Sequence, residues 1–503
     1  MFKSFLGYHL VEAYHNRKRN VHPLSTPNAK ALKVLFVVAV TLLLWLLPSD
    51  SFGIPNLTIT EQRTIAIFAF ASLMWILEGI PSWSTSVAVV VLLLFTCSDS
   101  SLFCFVQGYD EAQLGELISY KKIMACFADP IIMLFIGGFI IAIAATKSGL
   151  DVVLAKVLLK PFGTRSETVL LGFILVTGLF SMFLSNTATA AMMLTFLTPV
   201  LKQLPATGKG RIALAMAIPI GANIGGIGTP IGTPPNAIAL KALNDPAGLN
   251  LNIGFGEWMM FMFPLAIALL IFAWFVLLKM FPFTQKTIEL NIEGETKKDW
   301  RSIVVYITFA ATILLWVGDK ITGVNSNVVA MLPVGVFCAC GIITRRDLEE
   351  INWSVLWMVA GGFAIGVALQ DTNLAAHMID AIPFNQWPAL LMIIGSGLLC
   401  YLLSNFISNT ATAALLVPIL TVVGTAAAAN LAPLGGISPL LIGIALSASL
   451  AMVLPISTPP NAIAHSTGMI SQNDMMKVGI IMGIVGMVAG YAMLITLGKG
   501  GVI

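Results

Sequence analysis

Charge is what this sequence has least of. Asp, Glu, Lys and Arg make up 10% of its 503 residues, while hydrophobic residues reach 57% and mean hydropathy is +0.91. A soluble protein of ordinary composition carries about 25% charged residues, so a water-covered surface is excluded. The net charge of +3 gives no basis for binding nucleic acid. Six cysteines (Cys97, Cys104, Cys126, Cys338, Cys340, Cys400) show no repeated C-x-x-C, which excludes a zinc module. Cys338 and Cys340 lie in an apolar run and read as packing residues, while a Cys97–Cys104 bridge stays open. There is neither an H-E-x-x-H motif nor an intramembrane Asp pair, so nothing suggests an intramembrane enzyme.

What remains is a series of apolar runs about 20 residues long, the length that crosses a bilayer as helix. Trp258–Leu278, Ile321–Thr344 and Val478–Gly498 contain no Asp, Glu, Lys or Arg. Spans are predicted near 32–50, 64–80, 83–99, 128–147, 211–242, 257–280, 301–318, 323–343, 353–371, 437–468 and 475–498. Two further blocks, 167–204 and 386–423, have polar centres. The stretch Val34–Leu47 ends in Pro48-Ser49-Asp50 without a small-x-small cleavage pattern, so it reads as a retained first span. The chain is therefore expected to be an all-α, multi-pass protein of the plasma (inner) membrane, with about 11 transmembrane helices and two re-entrant hairpins. Arg17, Lys18, Arg19, Lys30 and Lys33 place the N-terminus in the cytoplasm. Alternation then puts Lys160 and Arg165, Lys202 to Arg211, Lys286 to Arg301, Arg345, Arg346 and Lys477 inside as well, and the C-terminus outside. Lys121 and Lys122 fall on the outside, beside Asp110, Glu111 and Glu116.

The chain is also a duplication. Gly137-Gly138-Phe139 returns as Gly361-Gly362-Phe363, at an offset of 224. Ser185-Asn186-Thr187-Ala188-Thr189-Ala190-Ala191 returns as Ser408-Asn409-Thr410-Ala411-Thr412-Ala413-Ala414, at an offset of 223. Thr233-Pro234-Pro235-Asn236-Ala237-Ile238-Ala239 returns as Thr458-Pro459-Pro460-Asn461-Ala462-Ile463-Ala464, at an offset of 225. Five predicted spans separate the two Ser-Asn-Thr blocks. That odd number predicts an inverted repeat, an arrangement common in secondary transporters, whose sites form near the midplane where the repeats meet.

The motifs carry the chemistry. Between Glu167 and Lys202 lie 34 uncharged residues, divided by Ser185-Asn186-Thr187 into two arms too short to cross. A hairpin that stops inside the membrane follows, and non-helical backbone at that depth must line a cavity or be buried in protein. Each Thr-Pro-Pro-Asn interrupts a helix, because proline lacks the N–H and clashes with the preceding turn, while proline also suits the first turn of a new helix. Each break frees carbonyls that can hold a cation and N–H groups that attract an anion. The 93 residues from Ala381 to Asn473 contain no Asp, Glu, Lys or Arg. Charge compensation for an anion is therefore expected from bound sodium rather than from lysine or arginine. Glu78 reads as an interface residue and His465 as a packed histidine rather than a proton carrier.

Paired Ser-Asn-Thr tips with paired Thr-Pro-Pro breaks resemble the divalent anion–sodium symporter family, which carries dicarboxylates, citrate or sulfate. The resemblance runs from about residue 32 to the end. It implies a homodimer in the lipid bilayer, working as an elevator-type transporter. Scaffold helices would occupy 32–165 and 281–385, behind a cytoplasmic segment 1–31, and the transport domain 166–280 and 386–503. It implies one sodium site at Ser181, Ser185, Asn186 and Gly232 and a second at Ser404, Asn409 and Ser457, the last through its backbone carbonyl. Substrate carboxylates would meet Ser185, Asn186, Thr187, Thr233, Ser408, Asn409, Thr410, Thr458 and Pro459. Sodium would be the coupling ion, with no organic cofactor. The family also contains sodium-independent anion exchangers.

Overall fold

The computed structural model describes residues 27–205, 208–245, 248–290, 299–381 and 386–503. Most of the N-terminal segment 1–31 and part of the loop between Lys286 and Arg301 thus lie outside the described residues. The described chain is helical, without a named strand; two isolated bridges, Ser98 to Ile118 and Arg165 to Thr287, are its β pairing. The helices of eight residues or more are α1 (Pro27–Leu46), α2 (Ile59–Leu77), α3 (Ser82–Thr96), α4 (Pro130–Ser148) and α5 (Leu150–Leu159). There follow α6 (Ser166–Phe183), α7 (Asn186–Lys202), α8 (Lys209–Gly225), α9 (Pro234–Asn244) and α10 (Phe255–Met280). The second half contains α11 (Trp300–Val317), α12 (Met331–Ala339), α13 (Trp353–Asp371), α14 (Leu374–Ala381) and α15 (Ser396–Ser404). It closes with α16 (Asn409–Ala426), α17 (Ser438–Leu450), α18 (Pro459–Ser466) and α19 (Gln472–Lys499).

Among the described residues, nine helices are long and apolar enough to cross a membrane, or ten if a bent pair before and including α17 counts as one span. The sequence predicts about eleven. The two sets differ in membership: α2, α3 and the stretch 323–343 are not among the nine, while α6 and α16 are, so these two hairpin arms, 18 residues each, are longer than the sequence reading expected. The stretch 323–343 divides into Ser326–Val329 and α12, and α3 has 15 residues, a length of about 22 Å at 1.5 Å per residue. The predicted breaks in 211–242 and 437–468 fall where the prolines stand, between α8 and α9 and between α17 and α18.

Local sequence sets the ends. Thr58 and Glu61 form a reciprocal capping box on α2, and Asp129 caps α4 with Pro130 in its first turn. Two short helices, α5 and α14, were not expected from the sequence. Each follows a residue in the left-handed region, Gly149 at φ 73° and Asn373 at φ 64°, conformations that glycine and asparagine tolerate best. These two turns stand at the same offset as the two Gly-Gly-Phe motifs, so the duplication includes them.

The halves pack crosswise. Gly137 of α4 touches the second half so closely that a Cβ there would lie 2.8 Å from the Ala330 Cβ. Gly361 of α13 meets the first half, where a Cβ would run into the Ser86 side chain. Near the motifs, α7 packs on α18 and α9 on α16. Ion pairs tie the helix ends together: Lys122 to Asp371 at 2.8 Å, Lys241 to Asp129 at 3.0 Å, Lys320 to Glu257 at 3.2 Å and Lys147 to Asp347 at 2.6 Å. All six cysteines are free, so Cys97 and Cys104 are not bridged.

Candidate functional site

Helix α6 ends at Phe183, and Leu184 turns the chain into an extended conformation. Ser185 then caps α7, its Oγ accepting the Ala188 N–H at 3.2 Å. Two residues before the end of α6, the fully buried Ser181 donates its hydroxyl to Asn186 Oδ1 at 2.5 Å. The Asn186 amide lies against Gly226: a Cβ there would fall 2.8 Å from Oδ1, 2.9 Å from Nδ2 and 3.1 Å from the Gly232 carbonyl oxygen. Only glycine permits that approach. Ser181, Asn186 and Gly232, with Ser185 beside them, are thus gathered at this tip. Thr187 is half-buried at the same tip.

The second tip repeats this construction. Ser408 caps α16 by accepting the Ala411 N–H at 3.1 Å, and the fully buried Ser404 donates to Asn409 Oδ1 at 3.1 Å. The donor stands five residues before its asparagine in both tips. Thr410 is buried behind Asn409. Ser457, expected beside Ser404 and Asn409, engages the neighbouring Asn405. Its hydroxyl donates to the Asn405 carbonyl at 2.8 Å and accepts the Leu454 N–H at 3.0 Å. Asn405 further accepts the Val453 N–H at 2.9 Å through Oδ1, fastening the hairpin to the break.

Both breaks are held by their asparagine. Asn236 Nδ2 donates to the carbonyls of Gly226, Ile227 and Thr229 at 3.0, 3.3 and 2.8 Å. Asn461 Nδ2 donates to Met452 and Leu454 at 2.7 and 3.1 Å. Each amide thus takes up carbonyls that lost their helical partners when the prolines stopped the helix. The halves meet through Asn223 of α8, whose Nδ2 donates to Thr458 Oγ1 at 3.1 Å and Asn461 Oδ1 at 3.0 Å. Thr233 and Thr458 are buried, and Pro459 is exposed next to them.

Four helices, α7, α9, α16 and α18, therefore begin within one connected polar centre, at Ser185, Thr233, Ser408 and Thr458. Their N-terminal ends carry partial positive charge, and the motif residues themselves carry none. Hydroxyls, amides and free carbonyls are oxygen donors suited to a hard monovalent cation, and the same hydroxyls and N–H groups can hold carboxylate oxygens. No cluster of His, Cys, Asp or Glu able to hold a metal occurs among the described residues. His465 Nδ1 donates to the Ile470 carbonyl at 2.8 Å, beyond the far end of α18, and Glu78 is exposed at the end of α2. Three residues were missed from sequence: Asn223, Thr229 and Asn405. Asn223 was legible in principle, as an amide inside an otherwise apolar and glycine-rich run, where polar residues are costly and functional.

The citrate transporter family model (CitMHS) matches residues 72–437. An uncharacterised transporter of Haemophilus influenzae is 32% identical over 84% of this chain and 88% of its own length. The sodium-dependent dicarboxylate transporter SdcS of Staphylococcus aureus is 29% identical, covering 91% of this chain and 90% of its own. Among solved structures, the YdaH transporter of Alcanivorax borkumensis aligns with a TM-score of 0.55 at 10% identity, over 87% of this chain and 98% of that one. MtrF of Neisseria gonorrhoeae, described with a class of antimetabolite efflux pumps, aligns at 0.53 and 11%, over 83% and 94%. At such identities these two speak for the fold alone.

Fold and comparisons together define a multi-pass membrane transporter rather than an enzyme. The chain belongs to the citrate transporter family, and the resemblance of its motifs to the divalent anion–sodium symporters holds.

Proposed function

We propose that this protein imports a small dianion, a C4-dicarboxylate such as succinate, by sodium-coupled symport. The observation that carries the reading is the uncharged polar centre, with four helix N-termini and two Ser-to-Asn amide contacts and no lysine or arginine in the motifs. Two carboxylates held there without cations are strongly disfavoured in a low-dielectric interior. Sodium at Ser181, Ser185, Asn186 and Gly232, and at Ser404, Asn409 and the Ser457 carbonyl, supplies the compensation. The sodium-dependent dicarboxylate transporter SdcS as a relative supports the same coupling.

Transport then proceeds by an elevator, 166–280 and 386–503 moving against 32–165 and 281–385, in a homodimer. The two halves form an inverted repeat, the hairpin at Asn186 entering from the cytoplasm and that at Asn409 from outside. Its support is that every ion pair given above joins ends that alternation puts on one side. Lys147 and Asp347 fall inside, and Lys122, Asp371, Lys241, Asp129, Lys320 and Glu257 outside. The family description favours a second substrate reading, citrate; sulfate and sodium-independent exchange are further alternatives.

The test is uptake of labelled succinate, citrate and sulfate into proteoliposomes across a sodium titration, with choline holding ionic strength constant. Symport requires substrate affinity to rise with sodium, since linked sites favour each other reciprocally. A flat response with trans-stimulation by internal dicarboxylate would reject it in favour of exchange.

A further inference from the structure

The two Thr-Pro-Pro-Asn breaks share a sequence but not a bonding pattern. Thr458 Oγ1 accepts twice, from the Asn461 N–H at 3.3 Å and from Asn223 Nδ2 at 3.1 Å. Asn461 Oδ1 accepts the same Asn223 amide at 3.0 Å. In the first break, Thr233 makes no side-chain cap bond and Asn236 Oδ1 is buried without a hydrogen-bond partner. The reason is in the sequence. At the offset that relates the two breaks, the position equivalent to Asn223 is Ala448, whose methyl group cannot donate.

A hydroxyl has one proton to give and two lone pairs to receive. With both lone pairs engaged, Thr458 retains only its proton, and Asn223 and the Asn461 N–H fix the oxygen from which it is given. Thr233, with its lone pairs free of a cap, can donate or accept. We infer that Asn223 is a positioning residue: reaching across from the first half, it makes Thr458 a dedicated donor to a carboxylate oxygen of the substrate. The two threonines, equivalent by duplication, thereby take different parts in holding the dianion. This inference rests on the transport reading above. Asn223 is 2% exposed and acts through Thr458, not by touching substrate itself.

Initial uptake rates in proteoliposomes test it, with the amount of folded protein fixed by size exclusion and with KM and Vmax read separately. Asn223→Ala frees one of the two Thr458 lone pairs and is expected to raise KM roughly 5- to 100-fold. Asn223→Asp keeps the shape but replaces the donor by an acceptor that draws the Thr458 proton away, so its KM should rise at least as far. Thr458→Val should raise KM likewise, and adding Asn223→Ala to it should change nothing further, because the amide acts through the missing hydroxyl. Asn223→Ala and Thr233→Val should instead combine additively. A normal KM in Asn223→Asp, or additivity between Asn223→Ala and Thr458→Val, overturns the inference and leaves Asn223 as packing. Wild-type protein that accumulates none of succinate, malate or citrate overturns the transport reading and this inference with it.

Discussion

Thr229 and Ser457 perform the same task from positions that do not correspond. Each hydroxyl donates to a hairpin carbonyl, Thr229 to Met182 and Ser457 to Asn405, and those two carbonyls are related by the same offset as the Ser-Asn-Thr tips. By the spacing of the breaks, however, Thr229 corresponds to Leu454 and Ser457 to Gly232. The hydroxyl has changed place by one turn while its target has stayed. In both halves a backbone carbonyl at the end of a hairpin arm is buried, and a buried carbonyl must find a donor.

Removing either hydroxyl should therefore loosen its own hairpin. Ser457→Ala and Thr229→Val are each expected to cost about 1–3 kcal/mol, the penalty for leaving a buried acceptor unmet. Thermal unfolding in detergent measures this. In the sodium site proposed above, Ser457 contributes its carbonyl, so Ser457→Ala should leave sodium affinity within about twofold. A collapse of sodium dependence in stable protein would instead assign the hydroxyl to the ion.

Asn186 and Asn409 should prove equally necessary. Each accepts a serine hydroxyl at a helix start, and its truncation to alanine strands that donor and, in the proposed site, removes an oxygen from the ion or substrate. About 1–3 kcal/mol per lost partner corresponds to a roughly 5- to 150-fold loss of substrate affinity in each variant. Near-normal transport by one of them, measured on folded protein, would reduce its half to a structural role.

The orientation of the hairpins is open to labelling. Gln203 and Gln386 are exposed at the bases of the first and second hairpin. Cysteines placed there should react with an impermeant maleimide from opposite faces, in a background where the exposed Cys104 and Cys338 are serine. Reaction from one face would remove the inverted repeat.

Acid should release the joint between α4 and the loop before α13. The Asp347 carboxylate is 3% exposed, and burial alone would raise its pKa; bonds from Lys147 and from Thr344 N and Oγ1 hold it below the ordinary value instead. Because the folded pKa is the lower one, the stabilisation is present above about pH 4 and is lost as pH falls through the folded value. The melting temperature should be level from pH 7 to about 5 and fall below about 4, while Asp347→Asn should be less stable at pH 7 and lose less in acid. Equal acid sensitivity in the two proteins would place the loss elsewhere.

Much of this molecule could be read without coordinates, for reasons that are local. A single proline can stay inside a helix here, as Pro219 does in α8 and Pro264 in α10, but two in succession interrupt one, so the breaks at Pro234-Pro235 and Pro459-Pro460 were legible. Ser185 and Ser408 precede apolar helical runs, so their capping role was legible too. The low charge fixed the solvent as lipid, and the repetition of three motifs at nearly one spacing fixed the duplication. The left-handed turn at Asn373 and the short helix after it were not legible, because an eight-residue amphipathic segment gives too weak a periodic signal.

What only the tertiary structure decided is where the duplicated residues find their partners. Sequence made Thr233 and Thr458 equivalent, since the motifs around them are identical. Their hydrogen bonds are not, because Asn223 reaches Thr458 from 235 residues away while Ala448 offers Thr233 nothing. Spacing along a chain reports the bonds within one helix or turn; it carries no record of which distant amide arrives beside a hydroxyl when two halves pack crosswise. Those contacts depend on the packing of α8 on α18, and they give two copies of one motif two different bonding patterns.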